Sequence, residues 1–295
     1  MVQFPYDSKV LAADIKQLVD QYHPLKCSSI GHSVLGKPLY ELKIGEGPQS
    51  IHWNGSFHAN EWMTTALLMS VVRSYAKALE EDEYFGSVKA RDLYANTTLS
   101  LVPMVNPDGV DLFMHGLDAS HANHNSLVMM NGANKTFASW KANIRGVDLN
   151  NQFPANWEIE KERKPKAPSF RDYPGEQPLT EPEAIAMAEL TKRCNFDRVL
   201  AFHSQGEVIY WGYKGMEPER SFHMVEAFYK GSGYEPVRTV DSYAGYKDWF
   251  IQDYQKEGYT IEVGKGINPL PLSTFPYQYG RVKEICALSL STPLR

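Results

Sequence analysis

Cysteine is scarce: Cys27, Cys194 and Cys286 are the only three in 295 residues, odd in number and far apart. They cannot form a full disulfide framework, and no CxxC pair occurs, so a cysteine-built zinc site is excluded. Long apolar runs are also missing. None approaches the roughly 18 residues a membrane helix requires, so no membrane insertion is expected. A basic excess is lacking too. Thirty Lys and Arg face 35 Asp and Glu, a net charge of −5, which argues against a nucleic-acid surface as the main business of the chain. The first residues carry no basic stretch followed by an apolar one, so no signal peptide is expected. The simplest reading is a cytoplasmic protein; the alternative is an exported one whose targeting or anchoring segment lies outside this sequence. No internal repeat or low-complexity linker is visible. What remains is an ordinary globular composition, 43% hydrophobic and 22% charged, which rules out disorder and suffices for a large core.

Segments of helical and strand-like pattern alternate along the chain. Val10 to Tyr22 has apolar residues at helical spacing, and Glu61 to Leu79 is a strong amphipathic helix candidate. Strand-like runs lie at Pro38 to Ile44, Ser50 to Trp53, Thr97 to Val105, Arg198 to Phe202 and Gly258 to Val263. Thr180 and Glu183 predict a capping box, with Pro182 in the first turn of a helix running to about Lys192. A terminal helix is expected from Tyr277 to Leu290. This alternation predicts an α/β fold with a mixed, largely parallel twisted sheet flanked by helices. The stretch from Asp108 to Gln177, rich in Asn, Pro, Gly and charge, breaks the pattern and reads as a long functional loop.

Two histidines stand out. His58 follows a strand in Gly55-Ser-Phe-His-Ala-Asn-Glu-Trp62, and His203 ends another in Leu200-Ala-Phe-His-Ser204. His58 and Glu61 are three apart, so on a helical turn an imidazole nitrogen and a carboxylate oxygen can grip one cation. A third ligand from a distant strand end completes a metal site with an open position. Both histidines lie at the carboxyl ends of strands, where open α/β sheets bind ligands.

The Gly55 to Trp62 segment resembles the zinc motif of the metallocarboxypeptidase (funnelin) family. Four further matches follow in order: Val105-Asn-Pro-Asp-Gly109, Gly146-Val-Asp-Leu-Asn150, His203-Ser204 and Tyr259-Thr-Ile-Glu262. The resemblance runs from about residue 10 to 290, so one catalytic domain, 1–295, is expected. It implies one zinc ion held by His58, Glu61 and His203, with Asp148 hydrogen-bonded to the ligand His58. It implies Glu262 as general base, taking a proton from water and passing it to the leaving amine.

The pattern departs from the family in ways that bear on substrate. Members that cut C-terminal residues hold the free carboxylate with an Asn-Arg pair; here the pair is Asn150-Asn151, and a neutral amide makes no charge-assisted clamp. The cation for the oxyanion is Lys141 by alignment, with Arg145 as the runner-up. The family's mobile tyrosine corresponds to Tyr243, with Tyr246 as the alternative. Lys247 falls where the family sets side-chain specificity and suits a substrate group bearing a carboxylate. Gly146 to Pro154 and His203 to Gly212 are most similar to the bacterial γ-D-glutamyl-L-diamino acid peptidases. That resemblance implies murein stem peptides as substrate, cut between the γ-carboxyl of D-Glu and meso-diaminopimelate or lysine. The alternatives are a metallocarboxypeptidase of unusual preference and a silent wall-peptide-binding module. Oligomeric state is not legible in the sequence.

Overall fold

The computed structural model describes residues 4–117 and 124–293. The chain enters through α1 (Ser8–Gln21) and a run of three strands, β1 (Lys26–His32), β2 (Pro38–Ile44) and β3 (Gln49–Gly55). Helix α2 (Met63–Glu80) leads to a small hairpin of β4 (Tyr84–Phe85) and β5 (Val88–Lys89), then α3 (Ala90–Asn96) and β6 (Thr97–Val102). The excursion that follows holds α4 (Pro107–His115), α5 (His124–Met130) and α6 (Trp157–Arg163). The second half runs α7 (Pro182–Cys194), β7 (Arg198–His203), β8 (Val208–Tyr210), α8 (Arg220–Ser232) and β9 (Glu235–Val237). It ends with α9 (Tyr246–Tyr254), β10 (Glu257–Glu262) and α10 (Phe275–Ser291).

Eight strands form one sheet in the order β1-β2-β6-β3-β7-β10-β8-β9. The central four, β6, β3, β7 and β10, are mutually parallel, while β1–β2, β2–β6 and β10–β8 are antiparallel. The expected mixed, largely parallel sheet is therefore present. Strand alternation divides the core. Ile51, Trp53, Leu200, Phe202, Tyr259 and Ile261 face α1, α2, α8 and α10. Val199 and Ala201 face the opposite layer, built from α7 and α9. With both faces covered, the functional surface is confined to the loops at the strand ends. No helix among the described residues is long and apolar enough to cross a membrane.

Four local expectations are corrected. The first helix turn after β3 is a separate 3-10 turn, Ala59–Glu61, and α2 begins only at Met63. In a 3-10 turn, residues i and i+3 eclipse, which aligns His58 with Glu61 more closely than an α-turn does. The Asn-Pro-Asp-Gly segment is a helix start: the Asn106 side chain caps Gly109 N–H at 3.0 Å and Pro107 occupies the first turn of α4. The capping box at Thr180 and Glu183 does not form. Glu181 is the N-cap, Thr180 Oγ1 donates to Gln152 Oε1 at 3.0 Å, and Glu183 Oε1 accepts from Val34 N–H at 3.1 Å. Glu183 thus spends its carboxylate on the β1–β2 turn. The Asp108–Gln177 stretch is no bare loop either; it holds three helices, and α4 and α5 contribute Leu112 and Leu127 to a small core with Phe137, Trp140 and Ile144.

Burial pushes the Glu183 carboxyl up to about 7, with Asp108 and Glu181 adding to the rise and the backbone N–H groups of Glu183 and Val34 opposing it. A raised folded-state value means stability is fully present below the ordinary glutamate range and is lost as pH climbs towards 7. Glu183→Gln removes that loss and keeps an acceptor for Val34. The variant should gain on the order of 2 kcal/mol over the parent between pH 4.5 and pH 8 in denaturant melts. A gap independent of pH would contradict this account.

Candidate active site

Three parallel strands deliver the central groups. His58 lies three residues beyond β3, and His203 and Glu262 are the last residues of β7 and β10. The parallel register pairs Glu262 directly with His203 across the two strands. His58 and His203 turn their Nδ1 atoms toward each other at 3.2 Å. The Glu61 carboxylate closes the group, 2.9 Å from His58 Nδ1 and 3.0 Å from His203 Nδ1. All three side chains are buried, and they form the one His/Cys/Asp/Glu cluster with metal-ligand spacing among the described residues.

The arrangement fits a metal ion. His58 Nε2 lies 3.1 Å from Asp148 Oδ1. An ionised carboxylate only accepts, so Nε2 carries the proton and Nδ1 offers its lone pair to the cluster. Two ligands on one tetrahedral zinc ion are themselves about 3.3 Å apart, close to the separations seen here. Two buried imidazole nitrogens and a carboxylate converging on one point are a donor set suited to a divalent cation.

Asp148 does more than orient His58. Its Oδ2 lies 2.8 Å from Lys141 Nζ, and Lys141 in turn donates to Asp172 Oδ1 at 2.9 Å. Burial alone would raise the Asp148 carboxyl, but Lys141 and His58 outweigh it and hold it well below the usual carboxylate range. Burial would likewise depress the Lys141 ammonium, yet Asp148 and Asp172 hold it above its ordinary value. Glu262 behaves in the opposite way. Burial pushes its carboxyl up to about 8, Glu61 adds to the rise, and His58 and Lys141 oppose it. A buried carboxylate shifted towards neutrality is suited to accept and return a proton.

Backbone contacts fix this geometry. Ala59 N–H donates to Lys141 O at 3.0 Å. Asn106 Nδ2 donates to Phe57 O at 3.2 Å and Ala142 O at 3.0 Å, tying the His58 loop to the Lys141 segment. Gly109 is required here, because a Cβ would stand 2.5 Å from Ala142 O. His58, Glu61, Lys141 and Glu262 all line one cleft of about 450 Å³, together with Asn60, Ser139, Arg171, Ser204, Gln205 and Asn268.

The other expected residues fall in different places. Arg145 does not line the cleft: its side chain is 54% exposed and lies 3.6 Å from Glu181, so of the two expected cations Lys141 is the one that reaches the cleft. Asn150 accepts Tyr246 N–H at 3.1 Å, and Asn151 is buried beside it. Tyr246 is a core residue, its hydroxyl on Thr191 and its ring among Phe57, Phe153 and Trp249. Tyr243 is half-buried on the preceding loop, its N–H on Glu160 at 2.7 Å and its ring under Arg163 at 5.0 Å. Lys247 is not presented as a free cation. It is 4% exposed, ion-paired with Asp248 at 2.6 Å, and donates to Gly212 O at 2.8 Å. Helix α9 turns it inward, so its charge is already compensated. Arg171, Asn60 and Asn268 line the cleft but were not singled out by sequence; Asn60 sits inside the zinc motif between His58 and Glu61, while Arg171 and Asn268 come from segments with no motif of their own, and Asp172 lies behind the lining beside Lys141.

The zinc carboxypeptidase family profile matches residues 11–274. The chain belongs to this family. It is 53% identical over 274 residues to γ-D-glutamyl-L-diamino acid endopeptidase 1 of Lysinibacillus sphaericus, covering 93% of this chain and 69% of that protein. It is 50% identical to an uncharacterised Bacillus subtilis protein, covering 95% of this chain and 76% of the relative. Among solved structures, thrombin-activatable fibrinolysis inhibitor shares the fold at TM-score 0.73 and 20% identity, covering 97% of this chain and 73% of that one. The murein-tripeptide amidase of Escherichia coli O157 does so at TM-score 0.56 and 21% identity, with 91% and 93% covered. The expected family and fold are those found, and the protein is a metallopeptidase of the zinc carboxypeptidase type.

Asp148→Asn should weaken metal binding about 10- to 100-fold, because the amide no longer enforces the His58 tautomer or neutralises Lys141. Competition with a chromogenic chelator measures it. Unchanged affinity in a folded variant would show that Asp148 does not support the ligand.

Proposed function

We propose that this protein hydrolyses the amide between the γ-carboxyl of D-glutamate and a diamino acid, meso-diaminopimelate or lysine, in peptidoglycan stem peptides. The reading is carried by the 53% identity to an enzyme named for that activity, across 93% of this chain. The complete His58–Glu61–His203 donor set, beside Glu262, supports it. Asn151 supports the same reading against ordinary carboxypeptidase action. It stands where a C-terminal carboxylate would meet an arginine, and an amide gives no bidentate charge-assisted pair.

His58, Glu61 and His203 would hold one zinc ion in a single catalytic domain. When bound, zinc supplies Lewis acidity that polarises a carbonyl and acidifies water. The chain's own groups do the rest. Glu262 takes a proton from the attacking water on a carboxylate oxygen and returns it to the departing amine nitrogen. Lys141 is ion-paired with Asp148 and donates to Asp172, and a remaining N–H serves the oxygen that becomes negative. Asp148 holds His58 in register. Asn150, Asn151 and Tyr243 orient the leaving side.

The test is to incubate zinc-loaded protein with L-Ala-γ-D-Glu-meso-diaminopimelate and identify the cut bond by mass spectrometry. Release of the diamino acid is expected. Glu262→Gln should lower kcat by about 10²- to 10⁴-fold while keeping the bound metal. Equal or faster removal of C-terminal residues from α-linked L-peptides would overturn the reading in favour of a carboxypeptidase.

A further inference from the structure

Lys141 and Arg171 stand on either side of one carboxylate. Lys141 Nζ donates to Asp172 Oδ1 at 2.9 Å, and Arg171 Nε donates to Asp172 Oδ2 at 2.8 Å. Both cations line the same cleft as His58, Glu61 and Glu262. They differ in what they have left to offer. Lys141 is largely enclosed and has one N–H free. Arg171 is half exposed, and its two terminal nitrogens have no protein partner among the described residues. It contributes the only guanidinium among the described residues of the cleft lining.

The segment carrying Arg171 is held firmly. Phe170 O accepts from Lys141 N–H at 2.8 Å and Ala142 N–H at 3.0 Å, Ser169 N–H donates to Gly146 O at 3.0 Å, and Tyr173 O accepts from Asp148 N–H at 2.7 Å. Asp172 between them has φ 64°, a left-handed conformation unusual for a residue with a side chain. That conformation places the Asp172 carboxylate between the two cations. A fixed guanidinium with a free fork beside a reacting centre is a receptor for a planar anion.

The chemistry of a γ-glutamyl amide supplies one. This step rests on the reading of function given above. In a γ-linked glutamate the α-carboxylate is not in the peptide bond and stays ionised. It lies four bonds from the scissile carbonyl carbon, about 5 Å when extended. An α-linked peptide has no main-chain charge there. A carbonyl oxygen on Lys141 and an anion on Arg171 would be separated by about the width of the Asp172 bridge that joins the two cations. We infer that Arg171 recognises the free α-carboxylate of the γ-D-glutamyl residue and so selects γ-linked substrates on the acyl side of the bond.

The experiment compares two tripeptides, L-Ala-γ-D-Glu-meso-diaminopimelate and its analogue with the glutamyl α-carboxylate converted to a carboxamide. The parent enzyme should favour the carboxylate by about 10- to 100-fold in kcat/KM, the range of a hydrogen-bonded charge pair that stays partly hydrated. In Arg171→Gln that preference should shrink to about threefold or less, with Arg171→Lys restoring part of it. An arginine that only supports Asp172 would, when replaced, slow both substrates together and leave their ratio intact; that result overturns the assignment. So does a parent enzyme that cuts both peptides equally well, with the proposed function left standing. A parent enzyme that cuts neither sinks the function itself, and the assignment with it.

Discussion

Asp148 is a carboxylate with no exposure to water, and everything at the site is arranged around neutralising it. An unpaired charge so placed would be prohibitive. One oxygen takes the His58 imidazole and the other takes Lys141. The first contact decides which ring nitrogen faces the donor cluster. The second brings an ammonium into the cleft, where it also holds the Asp172 carboxylate. Asp172 in turn holds Arg171. A single buried charge thus organises a row of groups from the metal donors to the outer wall. Deleting Lys141 leaves the buried Asp148 carboxylate without a cationic partner, whereas Asp172 is held from two sides.

The sheet supplies the stage on which that row is built. Parallel strands end together at one edge, so β3, β7 and β10 bring residues from three distant parts of the sequence to one cleft. Register matters as much as proximity. Because His203 and Glu262 are paired positions on adjacent strands, a donor and a proton acceptor lie side by side at the mouth of the sheet. The helices on both faces keep water away from every other part of these strands. That is also why Glu262 sits in surroundings that raise its carboxyl.

Much of this was legible in the sequence where chemistry and pattern are local. His58 and Glu61 share one turn, Glu262 sits in an apolar strand, and the buried central strands show as short apolar runs. Strand β1, Lys-Cys-Ser-Ser-Ile-Gly-His, was invisible because it is a polar, exposed edge strand without alternation. Helix α8 was not predicted, and α9 was missed because Lys247 read as a cation free for substrate, whereas the structure buries it against Asp248 and Gly212 O. The capping box at Thr180 failed because a tertiary bond from Glu183 to Val34 outcompeted a local one. Asp172 and Arg171 gave no signal at all. Their roles come from which backbone they are pinned beside, and no spacing rule encodes that.

The exchange of arginine for Asn151 takes on meaning beside this row of charges. In a carboxypeptidase the recognised anion belongs to the leaving residue, so a cation is wanted near Asn150 and Asn151. A γ-glutamyl amide carries a further free carboxylate on the acyl side. No guanidinium stands at position 151, and the cleft has one at Arg171, braced through Asp172 to Lys141. Moving a single guanidinium across the scissile bond changes which carboxylate must be present for productive binding. It leaves the metal donors, Glu262 and the fold untouched. A family built to trim peptide ends can in this way serve an internal, side-chain-linked amide without altering its chemistry.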